Sequence, residues 1–370
     1  MKKELARRWA AVAAGAALLC ALPVVASALP ASVPRLTAGQ LRGRILASAR
    51  LSYAGYAESD ATFGLPALPG LADVTSLLDG VTKMRVWQAS PQRWRVDVLS
   101  DAGERDTYRL GSRSYIWDSG AELLTEVAGQ PSLRLPRAAD LTPPALALRL
   151  LDEAGRHARF SVIAPLRVAG RSAAGLQVSP ADPASTIGRI DIWAEPGSGL
   201  PLMVQVFGRG SATPALESQF FQVSPWRADA AVLTPQRGPG TGFTVTSARS
   251  LAGALDNLAP LVLPGQLGGR DLLPVSGFNL IGVYGGGLAT FVVLGLRGSA
   301  AGEVLGDALT AGGAPLQASG GTEVLLGAPL VNAVVAQPPD GATVVVLAGT
   351  VSSSVLERAA GTLLAEPGLQ

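Results

Sequence analysis

The sequence predicts an α+β fold: a curled antiparallel β half-barrel covered by helices, followed by a smaller α+β domain. Three observations carry this. Short runs of alternating polar and apolar residues recur at hairpin spacing through residues 83–223. A few amphipathic segments open on helix-start signals. A Pro- and Gly-rich stretch, Ser224–Gly242, then separates two regions of different texture.

The elements follow in order. Thr37 and Gln40 have the spacing of a capping box, and Leu41, Ile45 and Leu46 continue it as an apolar stripe. Leu51–Glu58 reads as a strand. Ala61–Val81 is apolar but interrupted by prolines, ending in a short helical piece at Leu77–Leu78. It reads either as a lid over an apolar face, carried by Phe63, Leu65, Leu68, Leu71, Leu77 and Leu78, or as a loop tucked into the core.

Strands are expected at Lys83–Ala89, Arg93–Leu99, Arg105–Leu110, Ser114–Asp118 and Glu122–Val127, with turn residues between them. Thr142 and Pro143 stand at the N-cap and first position of a helix whose stripe is Leu146, Leu150 and Leu151. Further strands at Ala158–Ile163, Leu166–Val168 and Leu176–Ser179 lead to a hairpin over Ile190–Phe207, and Leu216–Val223 closes the run. A sheet this long curls, and helices cover its inner side.

The first domain is therefore placed at residues 37–223, a linker at 224–242 and the second domain at 243–366. The second is richer in Gly and Val, with a helix near Ser250–Leu258, paired strands across Gly285–Gly287, strands near Glu323–Leu326 and Thr343–Leu347, and a last helix capped by Ser352.

Residues 1–28 read as a secretory signal: Lys2, Lys3, Arg7 and Arg8 precede an apolar run that ends in Ala26-Ser27-Ala28. An uncleaved N-terminal anchor is the alternative, since the apolar run is nearly long enough to span a bilayer. Either way the chain is expected to be extracytoplasmic. Cys20 follows Leu19, not the small residue that lipidation needs. Cleavage would remove a net +3, turning the whole-chain +2 into −1, so no nucleic-acid partner is implied. It would also remove the one cysteine, so packing without disulfides must hold the fold.

Catalytic readings find little to use. His157 is the single histidine and sits in a charged turn. Zinc and thiol chemistry lack ligands, so no metal site or cofactor is expected. Ser198 lies between glycines without a nucleophile elbow, and Gly285–Gly287 leads into a strand, not a helix N-terminus. Glu104, Asp106, Asp191 and Glu195 read as scattered acids on turns or wet faces. The expectation is a binding protein, not an enzyme.

The apolar faces offer more. Met84, Val86, Trp94, Val96, Val98, Tyr108, Tyr115, Trp117, Ile190, Ile192, Val204, Val206 and Phe220 are expected on the dry side. They would either line a cavity for an alkyl chain or pack as plain core. Each methylene buried there is worth about 0.8 kcal/mol.

The hairpin Ile192-Trp193-Ala194-Glu195-Pro196-Gly197-Ser198-Gly199-Leu200-Pro201-Leu202, behind an N-terminal helix and a curled sheet, resembles that of the LolA-like half-barrel. Leu273-Pro274-Val275-Ser276-Gly277-Phe278 and Tyr284-Gly285-Gly286-Gly287-Leu288-Ala289 resemble stretches of the C-terminal domain of RseB/MucB-type periplasmic regulators. The Ala61–Val81 insert and the Arg- and Gly-rich texture suggest a distant, actinobacterial branch. The resemblance implies a non-enzymatic cell-envelope protein that binds a lipid or an acylated protein. It further implies a regulator of a membrane partner, an anti-sigma factor or a transporter, in envelope-stress signalling. A lipid or lipoprotein carrier without a regulatory role is the alternative.

Overall fold

The structure is a computed structural model describing residues 31–64, 72–101, 103–129, 135–236, 238, 240–247, 258–274, 280–318, 321–339, 341 and 343–365. The expected leader, the lid residues Leu65, Leu68 and Leu71, and most of the helix expected near Ser250–Leu258 lie outside the described residues.

Helix α1 (Ala38–Ala47) begins on the expected capping box: Gln40 N–H donates to Thr37 Oγ1 at 3.2 Å, and Thr37 N–H to Gln40 Oε1 at 2.9 Å. Two of the four donors left over at the helix start are thereby satisfied. Strand β1 (Tyr53–Thr62), helix α2 (Ala72–Leu78) and five successive strands follow: β2 (Asp79–Ser90), β3 (Arg93–Ser100), β4 (Gly103–Leu110), β5 (Arg113–Asp118) and β6 (Leu123–Ala128). Helix α3 (Pro143–Ala154) comes next, then β7 (Arg159–Val168), β8 (Arg171–Ser179), β9 (Ile187–Ala194), β10 (Pro201–Gly208) and β11 (Pro214–Pro225). At α3, Pro143 holds the first position as expected. Thr142, however, makes no side-chain cap and donates its hydroxyl back to the Ala139 carbonyl at 3.0 Å.

These strands and β12 (Gly242–Ser247) form one open sheet in the order β12-β6-β5-β4-β3-β2-β1-β11-β10-β9-β8-β7. Its neighbours are antiparallel except β12, which runs parallel to β6. The expected linker thus contains a short helix, α4 (Ala230–Leu233), and runs into a strand of the first sheet, so that this sheet reaches Ser247 instead of ending before residue 224. Phe243 and Val245 alternate with Thr244 and Thr246, but the run is short and directly follows the Pro- and Gly-rich stretch, which hides the strand in the sequence. The two strands expected at Ala158–Ile163 and Leu166–Val168 are one, β7, with an irregularity between Ile163 and Leu166 around Pro165.

The remaining strands are β13 (Leu258–Ala259), β14 (Gln266–Leu267), β15 (Arg270–Asp271), β16 (Ile281–Gly286), β17 (Ala289–Arg297), β18 (Ala314–Ala318), β19 (Gly321–Gly327), β20 (Asn332–Gln337) and β21 (Thr343–Gly349). All but β14 and β15 belong to a second, seven-stranded sheet. Helix α6 (Ser353–Ala365) buries Leu356, Ala360 and Leu363 against Val334, Ala336, Val345 and Leu347. Helix α5 (Ser299–Thr310), which the Gly-rich sequence conceals, buries Val304 and Ala308 against Val324, Val335 and Val344. Neighbouring strand residues face opposite ways, so Val334 and Val335 assign the two helices to opposite faces of this sheet.

The sheets are joined through residues 182–187. Ser185 donates to the Leu288 carbonyl at 2.7 Å, Thr186 to the Leu330 carbonyl at 2.5 Å, and the Ser352 N–H to the Ala184 carbonyl at 2.7 Å. Asp182 pairs with Arg270. Leu288 and Leu330 reach into the core formed by β8–β11 and the two helices α1 and α3.

Candidate functional site

The strand registers assign every side chain of the first sheet to a face. Met84 and Val86 stand opposite Val98 and Val96, Gln88 opposite Trp94, and Val96 opposite Thr107, which faces Ile116 and through it Thr125. In the other direction Ala57 faces Phe220, Ser218 faces Val204, Val204 faces Ile192, and Val206 faces Ile190. Directly opposed residues share a face. One continuous face therefore runs from Ile190 to Ile116, covered by α1 and α3 at its β8–β11 end. It is mainly apolar as far as β3 and carries Arg105, Thr107, Arg109 and Asp118 among its residues on β4 and β5, with Arg105 paired to Asp118 at 3.0 Å.

Burial along this face is graded. Ile190, Ile192 and Val204 are fully buried against Leu41 and Ile45 of α1 and Leu146, Ala147 and Leu151 of α3, and Val206 nearly so. That end is a filled core. Met84, Val86, Val96 and Phe220 form a second buried cluster with Tyr53, Ala57 and Leu141; Leu77 of α2 packs on it, and the Tyr53 and Phe220 rings meet edge-on at 5.8 Å. Beyond Val96 the cover thins. Trp94, Val98, Ile116 and Leu123 are only half-buried, although they point the same way, while Ser114 and Val127 on that face stay buried. Phe63 packs on the first cluster, and its N–H donates to the Leu78 carbonyl at 3.1 Å, which ties the α2 segment to the end of β1.

Tyr108, Tyr115 and Trp117 are not part of this face. Tyr108 stands opposite Tyr115, and Trp117 opposite Asp106, on the reverse side with Arg95 and Trp87. Aromatic character suggests a dry side, but the β3–β4 register, with Ser100 opposite Gly103, puts them out of phase with Val96 and Val98.

The hairpin motif is explained by its docking on α1. Gly199 has φ +76°, and a Cβ there would collide with the Arg44 carbonyl. No other residue meets both demands. The Arg44 guanidinium caps the Pro196 carbonyl in return. Ser198 donates to Glu195 Oε2 at 2.6 Å, and Arg171 pairs with Glu195 Oε1 at 2.6 Å. Burial works against the Glu195 charge, but these bonds hold its carboxyl below the usual range. Trp193 donates its indole N–H to the Ala164 carbonyl at 3.0 Å. A cleft of about 90 Å³ beside Arg171, Glu195 and Leu200 has room for waters but not for an acyl chain. Ser198 is a turn staple, not a nucleophile.

The reverse face holds a feature that the sequence reading missed. Asp106 and Asp191 are 3% and 6% exposed, not residues of wet faces. Asp191 is satisfied by Gln177 at 2.9 Å and Arg189 at 3.1 Å. Asp106 instead converges with Asp97 and Glu104, their carboxylate oxygens within 4.8 Å of one another. The centre is occupied by the Arg95 guanidinium, 2.6 Å from Asp97, 2.8 Å from Asp106 and 3.5 Å from Glu104. This is an ion-pair network, not a cation cage. Burial pushes the carboxyls of Asp97 and Asp106 up against the opposing pull of Arg95. The spacing of two residues between Ser100 and Gly103 was the available signal, because that length sets Asp97 opposite Asp106.

His157 is exposed in the turn after α3. It borders a groove of about 320 Å³ between that turn and residues 286–289 of the second sheet, together with Glu153 and Asp182. Among the described residues no helix is long and apolar enough to cross a membrane.

No family model matches the chain, and no curated protein matches it. Among solved structures it is similar to MucB in the Pseudomonas aeruginosa MucA/MucB complex, with 17% identity over 87% of this chain and 96% of that one and a TM-score of 0.49. A second MucB structure, in complex with MucA(peri), gives 18% identity over 87% of this chain and 97% of that one, with a TM-score of 0.48. A LolA superfamily protein from Nitrosomonas europaea gives 11% identity over 54% of this chain and 99% of that one, with a TM-score of 0.26.

Proposed function

We propose that the protein is a non-enzymatic, exported cell-envelope protein that binds the acyl chain of a lipid or lipoprotein on the helix-side face of its first sheet. The observation that carries the reading is the gradient of burial along one face. Ile190, Ile192, Val204 and Val206 are sealed under α1 and α3, whereas Trp94, Val98, Ile116 and Leu123 face the same side half-covered. An alkyl chain laid over Trp94, Val98, Ile116 and Leu123, beside the Arg105–Asp118 ion pair on the same face, would complete the cover, gaining about 0.8 kcal/mol per methylene buried. The α2 segment, carrying Leu77 and Leu78, sits at the border between the sealed and the half-covered parts and is suited to act as a lid.

The test is binding of a photoreactive acyl probe, with the crosslinks mapped by mass spectrometry. Labels on β3–β6 support the reading. Absence of any saturable labelling, or labels confined to the second sheet, sinks it.

The regulatory reading rests on a separate observation, the polar joint at residues 182–187 between the ligand-bearing sheet and the second sheet. A pure carrier needs no second sheet. The second sheet would engage the extracytoplasmic part of a membrane partner, such as an anti-sigma factor or a transporter. In-cell crosslinking that recovers soluble acylated proteins but no membrane protein would favour simple carriage.

A further inference from the structure

Asp97 on β3 and Asp106 on β4 face each other across the strand pair, 1% and 3% exposed, on the face away from α1 and α3. Each spends one oxygen on Arg95, and Tyr108 adds its hydroxyl to Asp106 Oδ2 at 3.0 Å. The other two oxygens, Asp97 Oδ2 and Asp106 Oδ1, are buried and have no donor. Three carboxylates around one guanidinium would leave an excess of negative charge, and although Arg95 and Glu104 are partly exposed, Asp97 and Asp106 meet almost no solvent. Buried charge without compensation is the arrangement that proteins avoid by holding a proton.

The connecting segment packs on the site. Arg95 Nη1 donates to the Val232 carbonyl of α4 at 3.5 Å, and Leu233 beside it is fully buried. Arg95 also lies over the Trp87 and Tyr108 rings, 5.1 and 5.0 Å from their centroids, so the guanidinium is fixed from both flanks. The ionisable groups around the pair are Lys83 and Arg85 on β2, Arg95 on β3, Glu104 and Tyr108 on β4, Tyr115 on β5, and Asp229 at the α4 N-cap. Arg85 stands opposite Asp97 but is exposed, and Glu104 adds negative charge. The residues of α4 itself, Ala230–Leu233, carry no charge that could replace a lost proton.

We propose that Asp97 and Asp106 form a proton-operated clamp: one proton held by the pair keeps α4 seated on β3, and its release to solvent unseats α4. With the proton present, one carboxyl is neutral and the excess of negative charge around Arg95 falls by one. With it gone, the excess charge must be hydrated, and the route for water is the place that α4 occupies. Because α4 lies between β11 and β12, on the way to the second sheet, the state of the clamp sets how firmly the connection is held to the first sheet. The clamp stands on the reverse face, apart from the proposed acyl surface.

The experiment is hydrogen exchange of the full-length chain, followed by mass spectrometry over peptides containing residues 230–233 and corrected for intrinsic exchange. At about pH 5.5 these amides should be protected, and at about pH 8.5 protection should fall about tenfold or more while the α1 and α3 peptides stay unchanged. Asp97→Asn, which is neutral at both values, should keep the segment protected at both. Glu104→Gln removes a neighbouring negative charge and should move the midpoint to lower pH. Should Asp97→Asn not fold, the wild-type profile and Glu104→Gln still decide the matter. Protection of 230–233 that does not change with pH, or an unmoved midpoint in Glu104→Gln, overturns the proposal.

Discussion

Ser185 donates its hydroxyl to the Leu288 carbonyl at 2.7 Å, and both residues are buried where the loop before β9 meets the turn between β16 and β17. The bond spans the two sheets. Ser185→Ala leaves a buried carbonyl without its donor, a loss of about 1–3 kcal/mol. Gly208 makes the same joint sterically strict, because a Cβ there would collide with the Pro329 carbonyl. Gly208→Ala is expected to push the sheets apart, seen as a lower Tm and a larger radius of gyration in solution scattering. An unchanged scattering profile would show that the joint tolerates a shift.

The Glu195 turn predicts an acid-sensitive element. Its carboxyl is held below the usual range against the effect of burial, by Ser198 and Arg171. A depressed folded-state pKa contributes stability above the unfolded value, and this is lost as pH falls through the folded one. Arg171→Leu should therefore cost about 1 kcal/mol near neutral pH and less in acid, where Glu195 is protonated in the wild type as well. Urea unfolding at several pH values reads this directly; an equal cost at every pH would assign the effect to lost packing.

The Asp97–Asp106 pair predicts the opposite slope. Burial raises both carboxyls above their unfolded value, so the folded state binds more protons. That stability is fully present below the unfolded pKa and is lost as pH rises through the folded one, at up to about 1.4 kcal/mol per pH unit for the one proton the pair holds. Wild-type stability should thus decline from mildly acid to neutral pH. Asp97→Asn should flatten the decline, and a slope identical to wild type would remove the pair as its cause.

How far the sequence could be read follows from where its signals are local. The capping box at Thr37 and Gln40, the Ser-Pro turn, and the alternation of Trp94, Val96 and Val98 each lie within a few residues, and the structure contains all of them. Signals that need a register across strands were lost. Tyr108, Tyr115 and Trp117 read as dry-side residues until pairing set them with Arg95. Asp97 and Asp106 looked unrelated because nine residues separate them in the chain, although the turn between them makes them partners. Strand β12 and helix α5 escaped for a different reason. The short, exposed run of β12 is fixed by its pairing with β6, and the glycines of α5 weaken its helical preference so that packing against the second sheet fixes it.

The graded face separates a stability role from a binding role within a single set of apolar residues. Ile192 is fully buried under α1 and α3, so Ile192→Ala should cost about 2–5 kcal/mol of folding stability. It would leave acyl-probe labelling unchanged per folded molecule. Val98 and Ile116 are half-buried on β3 and β5, so Val98→Asp or Ile116→Asp should cost far less stability. A charge placed along the path of an alkyl chain would instead have to be desolvated by the ligand, which should weaken labelling at least about tenfold. Chemical denaturation and probe titration on the same three variants read the two effects independently. If Val98→Asp and Ile116→Asp bind as the wild type does while folding normally, the chain does not lie on β3–β6, and the half-covered face is only the thin edge of the core.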